Sequence, residues 1–252
     1  MLTCNGTYLY SVMEKSVLHK ADTRGSADHG WLKSLQTFSF GGYYNEKRIH
    51  FGALRVLNDD TVDGGKGFGD HPHDNMEIIS IPLEGELLHE DSMGNKAVIQ
   101  AGEIQVMSAG TGIYHAEYNK NPYLPVKFLQ IWVFPNQRDV SPRYDQIKLN
   151  TLSDQNSLQQ ILSPNKDDDG VWIYQDAWFH MGKFDQDNKA LYKLKKEGNG
   201  IYFFVLKGDL KVNDQVLNTR DGYGIWDVED ALLEAESATE FLIMEVPMEV
   251  KL

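Results

Sequence analysis

Residues 71–73 read His-Pro-His, and residues 115–117 read His-Ala-Glu. On a β-strand, the side chains of residues i and i+2 point to the same face. Each tripeptide therefore directs two side chains of metal-ligand type to one side of its strand. If the two strands lie close together in a β-barrel, three imidazoles and one carboxylate converge on one point inside it. The candidate metal ligands are His71, His73, His115 and Glu117.

The donor set suits a divalent transition metal. Neutral imidazole and carboxylate ligands are compatible with iron, manganese, nickel, copper, cobalt and zinc. Four protein ligands leave coordination positions free for a substrate and for oxygen. An isolated His-x-His pair is more often incidental than functional, but seven of the eight histidines lie before residue 140, and three of these seven belong to the two tripeptides.

Short strand-like stretches separated by turn residues occupy most of the chain. Strands of four to eight residues at a spacing of about 8–12 residues predict a β-sandwich or a small β-barrel. The predicted strands are His50–Leu57, which stops at Asn58-Asp59-Asp60, then Glu77–Leu88 with a turn at Glu84-Gly85, then Ala97–Gln100, Ile104–Met107 and Val126–Phe134.

The C-terminal part repeats the pattern of the first part. Ile201–Leu210 resembles Ile78–Leu87, because each stretch leads from an apolar run into a glycine turn, at an offset of about 120 residues. This repetition predicts two tandem β-barrels. The connection from Pro135 to Gly170 is expected to carry a short helix near Ser157 to Leu162 and, at residues 167–169, a solvated acidic loop.

Composition excludes several classes of function. With 24 basic and 37 acidic residues the net charge is −13, so the chain lacks the basic surface that nucleic-acid binding requires. The longest apolar run, Ile201–Leu206, is far shorter than the ~20 residues of a membrane-spanning helix. The single cysteine, Cys4, cannot form an internal disulfide, which fits a cytoplasmic protein.

A longer pattern surrounds the two tripeptides. The first cupin sequence motif resembles the spacing of Gly65, His71, His73, Glu77 and Gly85, with one extra residue before the last glycine. The second cupin motif resembles the spacing of Gly102, Ser108, Gly110, His115 and Asn119, with serine at position 108 where cupins usually have proline and with two extra residues before the histidine.

These departures are similar to those of one branch of the cupins, the pirin family. Residues 67–73, 91–95 and 107–119 carry the resemblance, which covers most of residues 20–252 and is strongest over 30–145. Among pirins the chain looks most like the bacterial pirin-like quercetin 2,3-dioxygenases.

The resemblance implies an all-β bicupin, that is, two tandem jelly-roll-like cupin barrels. Residues 1–140 would form the N-terminal metal-binding domain, and residues 141–252 a C-terminal cupin domain without a metal site. The second domain contains one histidine, His180, and no cysteine. Residues 1–12 precede the region of resemblance and are expected to be dispensable for the site.

The resemblance also implies the roles of the site residues. The metal ligands of pirins correspond to His71, His73, His115 and Glu117, with iron(II) as the expected ion. Glu77 is the rival ligand, since ordinary cupins use the glutamate of the first motif; the pirin pattern instead places it behind the ligands. The remaining candidates for the surroundings of the metal or for a substrate pocket are Phe68, Met76, Asn119 and Trp132, of which the apolar ones fit a core equally well.

The implied reaction is the cleavage of a flavonol such as quercetin by dioxygen, with release of carbon monoxide. Glu117 would combine the roles of ligand and proton acceptor. Two alternatives stay open: a non-catalytic regulator that binds a protein partner and uses the metal as a redox-sensitive or structural element, and a bicupin with a different substrate. The expected partners are a small aromatic molecule and oxygen, and the expected state is a monomer.

Overall fold

The computed structural model describes residues 15–149 and 155–250. These residues form 22 strands and one short 3-10 turn, Ala21–Thr23, and none of their helices has the length and hydrophobicity that crossing a membrane requires. The first twelve strands are β1 (Lys15–His19), β2 (Gly25–Asp28), β3 (Leu32–Gln36), β4 (Leu54–Val62), β5 (Gly67–His73), β6 (Glu77–Glu84), β7 (Glu86–Asp91), β8 (Lys96–Gln100), β9 (Glu103–Ser108), β10 (Ile113–Asn119), β11 (Val126–Val133) and β12 (Arg143–Lys148). The others are β13 (Ser157–Ser163), β14 (Val171–Trp172), β15 (Trp178–Phe184), β16 (Lys189–Lys193), β17 (Asn199–Lys207), β18 (Leu210–Val212), β19 (Gln215–Leu217), β20 (Gly222–Trp226), β21 (Asp230–Ala235) and β22 (Thr239–Pro247).

Two units of the same architecture follow each other along the chain. In the first unit, a seven-stranded sheet with the order β12-β9-β6-β11-β4-β3-β2 accompanies a four-stranded sheet, β5-β10-β7-β8. In the second unit, the corresponding sheets are β1-β20-β17-β22-β15-β13-β14 and β16-β21-β18-β19. Each unit is thus a jelly-roll-like pair of sheets rather than one closed barrel, and the all-β bicupin fold with its duplication is confirmed.

The turns that suggested the duplication occupy equivalent places. Gly85 joins β6 to β7 with φ of 82°, and Gly208 joins β17 to β18 with φ of 76°. Glycine adopts this left-handed conformation without the steric cost that a Cβ atom imposes. Each glycine turn therefore lets a strand of the larger sheet lead directly into a strand of the smaller sheet.

The edge strands β1 and β12 are exchanged between the two units. β1 pairs with β20 in the second unit, although it lies near the start of the chain. β12 pairs with β9 in the first unit, although it follows residue 140. A chain cut at residue 140 would therefore expose an unpaired sheet edge in each half. The division of the protein into domains 1–140 and 141–252 stays a prediction.

The seven-stranded sheets of the two units share one hydrophobic core. Leu129 and Ile131 of β11 belong to this core, together with Phe179 and Phe204 of the second unit. Because side chains alternate along a strand, Gln130 points to the opposite face, into the interior of the first unit. One face of the sheet thus joins the units, and the other face is free to build a site.

The interiors of the two units differ in chemistry. In the first unit, Ser80 of β6 lies opposite Gln130 of β11 in the strand register. In the second unit, the same places on β17 and β22 are held by Phe203 and Ile243, which belong to a continuous apolar core. Apolar side chains fill most of the second interior, where His180 holds the place of Asn58, whereas polar side chains line the first. That the second unit binds no transition metal stays a prediction.

Two expectations from the sequence are wrong. The predicted helix near Ser157 to Leu162 is strand β13, which pairs antiparallel with β15 and buries Ile161. Leucine and glutamine have a favourable helix propensity, but strand pairing and burial in a sheet override this weak local preference.

The strand predicted at His50–Leu57 is also misplaced, because β4 runs through Asn58-Asp59-Asp60 and ends only at Val62. Asp59 lies beside Arg24, at 3.3 Å, and Arg220, at 3.5 Å. Asn58 and Asp60 are buried. Three polar residues that resemble a turn are therefore part of the strand, where tertiary partners and a cavity accommodate them.

Residues 1–12 lie outside the described residues, so the prediction that they are dispensable stays open.

Candidate metal centre

Two adjacent strands of the smaller sheet, β5 and β10, bring the predicted ligands together, and a third strand, β7, adds His89. The sheet order is β5-β10-β7, so β10 lies between the other two. In the register, His115 of β10 is opposite His71 of β5, and Glu117 of β10 is opposite His89 of β7. A bulge between residues 115 and 117 shifts the pairing with β5. Directly opposite residues share a face of the sheet, so these side chains all point to one region.

The donor atoms form two overlapping groups. The potential ligand atoms of His71, His73 and His115 lie within 4.8 Å of one another, and so do those of His89, His115 and Glu117. The ring centroids of His71 and His115 are 4.3 Å apart, and those of His73 and His115 are 4.9 Å apart. His115 belongs to both groups and is therefore the centre of the cluster.

The histidines fit a metal ion in their chemistry. His115 is only 1% exposed, yet neither of its ring nitrogens has a hydrogen-bond partner. Burial, aided by the neighbouring histidines, lowers the pKa of His115 far below its usual value and so favours the neutral ligand form. His71 donates its Nδ1–H to the Gly69 carbonyl over 2.7 Å, which leaves Nε2 free. Such a bond holds a ligand ring in a fixed orientation.

Glu117 is the buried carboxylate of the cluster. Its Oε2 accepts a hydrogen bond from Gln130 Nε2 over 2.7 Å, and its Oε1 lies 3.0 Å from the Ser80 hydroxyl. Burial raises the pKa of Glu117, although the nearby His89 and these hydrogen bonds oppose the rise. A carboxylate buried among neutral partners is costly unless a cation accompanies it. A divalent ion at the cluster would supply that cation.

His89 and Asp91 are the residues of this region that sequence reasoning missed. The His89 side chain is fully buried, and its Nε2 donates to Asp91 Oδ2 over 3.0 Å. A carboxylate on one ring nitrogen sets the tautomer and leaves the other nitrogen as a lone-pair donor, and His89 Nδ1 indeed has no partner. The signal was available: His89-x-Asp91 has the same i, i+2 spacing as the two tripeptides.

A cavity of about 290 Å³ opens beside this cluster. Its volume lies near the lower end of the ~300–1,000 Å³ range of small-molecule sites. Strands β3, β4 and β11 of the larger sheet and β5 and β10 of the smaller sheet provide most of its lining. Side chains that line it include His71, His73, Glu117, Gln130, Gln36, Asn58, Asp60, Phe40, Phe68 and Trp132.

The predicted pocket residues divide into two groups. Phe68 and Trp132 line the cavity, and the Trp132 ring lies 4.9 Å from that of His73. Met76 packs instead against a small apolar cluster around Met107. Asn119 has a structural role, because its Nδ2 donates to two backbone carbonyls over 3.0 and 2.7 Å. Of the four candidates, the two aromatic residues thus line the cavity, whereas Met76 and Asn119 support the surrounding strands.

The structure places Glu77 away from the cavity. Along β6, Glu77 shares its face with Ile79 of the core between the units, whereas Ser80 lies on the opposite face and contacts Glu117 and Gln130. Glu77 Oε2 accepts a hydrogen bond from the Ser108 hydroxyl over 2.7 Å. The even spacing between His71 and Glu77 does not show where the Glu77 side chain points, because a bend between β5 and β6 interrupts the alternation of side chains along the chain.

Glu77 should make the stability of the fold depend on pH. Burial raises the pKa of its carboxyl from 4.5 to about 7, so the folded protein retains a proton that the unfolded chain has already lost. The free energy of unfolding should therefore fall as the pH rises through this interval. Glu77→Gln remains neutral and can still accept the bond from Ser108. At pH 8 we expect this variant to be more stable than the wild type, by on the order of 1 kcal/mol or more.

Urea unfolding at pH 5 and pH 8 measures this effect. Glu84→Gln is the matched control, because Glu84 lies on the same strand but is exposed. An unchanged pH dependence in Glu77→Gln would contradict the argument.

Comparison with known proteins agrees with this geometry. The pirin family profile matches residues 17–133, and the profile of the quercetinase C-terminal cupin domain matches residues 160–246. A quercetin 2,3-dioxygenase of Escherichia coli K12 is 40% identical over 230 residues, which cover 91% of this chain and 98% of that protein. The chain belongs to the pirin family.

Other pirins and their structures extend this result. A pirin-like protein of Caulobacter vibrioides is 37% identical over 225 residues, covering 89% of this chain and 96% of that protein. The crystal structure of the bacterial pirin YhhW from Escherichia coli in complex with nickel(II) is 39% identical and superposes with a TM-score of 0.88, covering 92% of this chain and 99% of that chain. A quercetin 2,3-dioxygenase from Acinetobacter baumannii shares the fold, with a TM-score of 0.77 at 22% identity over 93% of this chain and 87% of that chain.

Proposed function

We propose that this pirin is a metal-dependent dioxygenase that cleaves a flavonol such as quercetin with dioxygen and releases carbon monoxide. The observation that carries the proposal is the opening of the histidine–glutamate cluster into a cavity with aromatic walls. Phe68 and Trp132 border that cavity beside the cluster. Flat apolar rings of this kind pack favourably against a planar aromatic ligand. The names of the related quercetin 2,3-dioxygenases support the same activity.

The proposed ligands are His71, His73, His115 and Glu117, with His89 beside them. Iron(II) is the proposed ion, since the pirin resemblance implies it, and the relative that was crystallised with nickel(II) indicates that the site type accepts other divalent ions. When bound, a divalent ion lowers the pKa of a hydroxyl group that coordinates it.

Glu117 is the proposed acceptor of the proton from the flavonol hydroxyl. In the metal-free protein, burial raises the pKa of Glu117, so that its carboxylate accepts a proton more readily than an exposed glutamate does. Gln130 and Ser80 hold its two oxygens, so the carboxylate has a defined orientation toward the cavity. Gln130 and Glu117 both line the cavity, which supports this role for Glu117.

The loss of quercetin absorbance, followed under air and under argon, tests the proposal. Iron(II)-loaded protein should consume quercetin only in air and should release carbon monoxide, which is trapped separately. Metal-free protein and free iron(II) at equal concentration are the controls. Oxygen-dependent loss no faster than that with free iron(II) would overturn the enzyme proposal and favour a regulator that binds a protein partner.

A further inference from the structure

Four polar atoms in the cavity lining have no hydrogen-bond partner. Among the described residues, they are Gln36 Oε1, Asn58 Oδ1, Asp60 Oδ1 and Trp132 Nε1, and all four are buried. Buried polar groups in proteins are nearly always paired, because an unpaired group loses its bonds to water without compensation. Because residues of one cavity carry four such groups, a molecule bound there can supply the missing partners when these side chains turn toward it.

Three of these residues are neighbours on strands β3 and β4, and we call them the polar wall: Gln36, Asn58 and Asp60. In the register, Gln36 of β3 lies opposite Asn58 of β4, and Asp60 follows two residues later on the same strand. Opposite residues have Cβ atoms about 4.5–5.5 Å apart, and residues two positions apart on one strand are separated by about 7 Å. The wall therefore has the dimensions of a single aromatic ring system.

The polar wall is connected to the metal cluster through Gln130. Gln130 of β11 lies opposite Asn58 in the register, and its Nε2 donates to Glu117 over 2.7 Å. One row of polar side chains thus leads across three neighbouring strands from the wall to the proposed metal ligand. A ligand that contacts the wall can present another of its oxygens to the cluster.

The equivalent row of the second unit is apolar only in part. Phe203 and Ile243 hold the places of Ser80 and Gln130, whereas His180 and Gln160 hold the places of Asn58 and Gln36. In the first unit, Gln105 of β9 continues the row beyond Ser80, and both polar atoms of its side chain are also buried without a partner. Gln105 does not belong to the cavity lining, so it offers a matched comparison for the wall.

We propose that the polar wall recognises phenolic hydroxyl groups and selects polyhydroxylated flavonols over less hydroxylated ones. The three wall oxygens are hydrogen-bond acceptors, so they require donors from the ligand, and a hydroxyl group is such a donor. Trp132 Nε1–H is a donor and fits an oxygen of the same ligand. This inference rests on the proposed function, because it names the part of the cavity that sets the substrate preference.

Binding under argon to the nickel(II)-loaded protein tests the inference without turnover. The two probes are quercetin and a flavonol that lacks only the two hydroxyls of its outer ring, and quenching of tryptophan fluorescence reports their Kd values. The wild type should bind quercetin ~3–30-fold more tightly, as expected for one or two net hydrogen bonds. Gln36→Leu/Asn58→Leu should lose most of this preference, whereas Gln105→Leu should retain it.

The thermal unfolding midpoint provides a second readout. Leucine removes unpaired polar atoms from a buried place, so we expect the ligand-free double variant to unfold at a temperature equal to or above that of the wild type. If the double variant does not fold, Asp60→Asn, which retains an oxygen acceptor but carries no charge, is compared with Asp60→Leu in the same assay, and only the leucine should abolish the preference.

The inference would be overturned if the leucine variants still preferred quercetin, or if they bound both probes more weakly by the same factor. Since the assay excludes dioxygen, a failure to bind selectively is distinct from a failure to turn over. Selective binding without turnover would support the recognition role of the polar wall and contradict the proposed dioxygenase activity.

Discussion

Replacing His115 by alanine should abolish stoichiometric metal binding. His115 belongs to both donor groups of the cluster, so its loss leaves neither group with three donors. The loss of affinity should exceed the ~10–100-fold that removal of an outer-shell partner typically costs. His71→Ala/His115→Ala should likewise contain no metal. Elemental analysis of purified protein and titration with nickel(II) measure the two quantities.

His180→Ala is the matched control for this experiment. His180 is a buried histidine with an unpaired Nδ1, but it lies in the second unit, away from the cluster. This variant should bind one ion per chain with wild-type affinity. His89→Ala should weaken nickel(II) binding ~10–100-fold if the His89–Asp91 pair acts as support for the ligands. A full complement of metal in His115→Ala would reject the proposed site.

Replacing Glu117 by glutamine should reduce quercetin turnover ~10²–10⁴-fold, the usual effect of losing one positioned acid–base group. Glutamine fits the same space: its carbonyl oxygen can accept the bond from Gln130 Nε2, and its amide can donate to the Ser80 hydroxyl. The side chain keeps its position but no longer carries the charge or accepts the proton. Binding of quercetin under argon should therefore change much less than kcat in air.

Metal content has to be measured on the same samples, because Glu117 is also a proposed ligand. Glu77→Gln is the control, since Glu77 is a buried glutamate on the face of β6 that points away from the cavity. We expect it to retain turnover within a few-fold of the wild type. If metal-replete Glu117→Gln turned over quercetin as fast as Glu77→Gln, the role of Glu117 as proton acceptor would be wrong.

The local patterns of the sequence predicted much of the fold. The run predicted from Val126 to Phe134 corresponds to strand β11, which ends at Val133, and the turn at Glu84-Gly85 separates β6 from β7. These predictions succeeded because apolar alternation and glycine turns act over a few residues. The duplication was visible for the same reason, since equivalent turns recur in equivalent sheets.

The failures occurred where distant contacts decide the conformation. Ser157–Ser163 forms a strand because β15 pairs with it, and no local signal encodes that partner. Asn58 and Asp60 resemble a turn in sequence, yet they lie within β4 and face a cavity. Polar residues that break the local rule for a strand interior are expected at functional sites, where a bound molecule replaces the missing partners.

The i, i+2 spacing in the sequence was enough to predict which side chains share a face of their own strand: His71 with His73, and His115 with Glu117. The position of β7 on the other side of β10, which brings His89 to the same cluster, and the direction of Glu77 into the core between the units could be seen only in the folded protein. The direction of a side chain along one strand follows from backbone geometry with a period of two. Which strands become neighbours follows from the burial of whole sheets, which involves residues far apart in the chain.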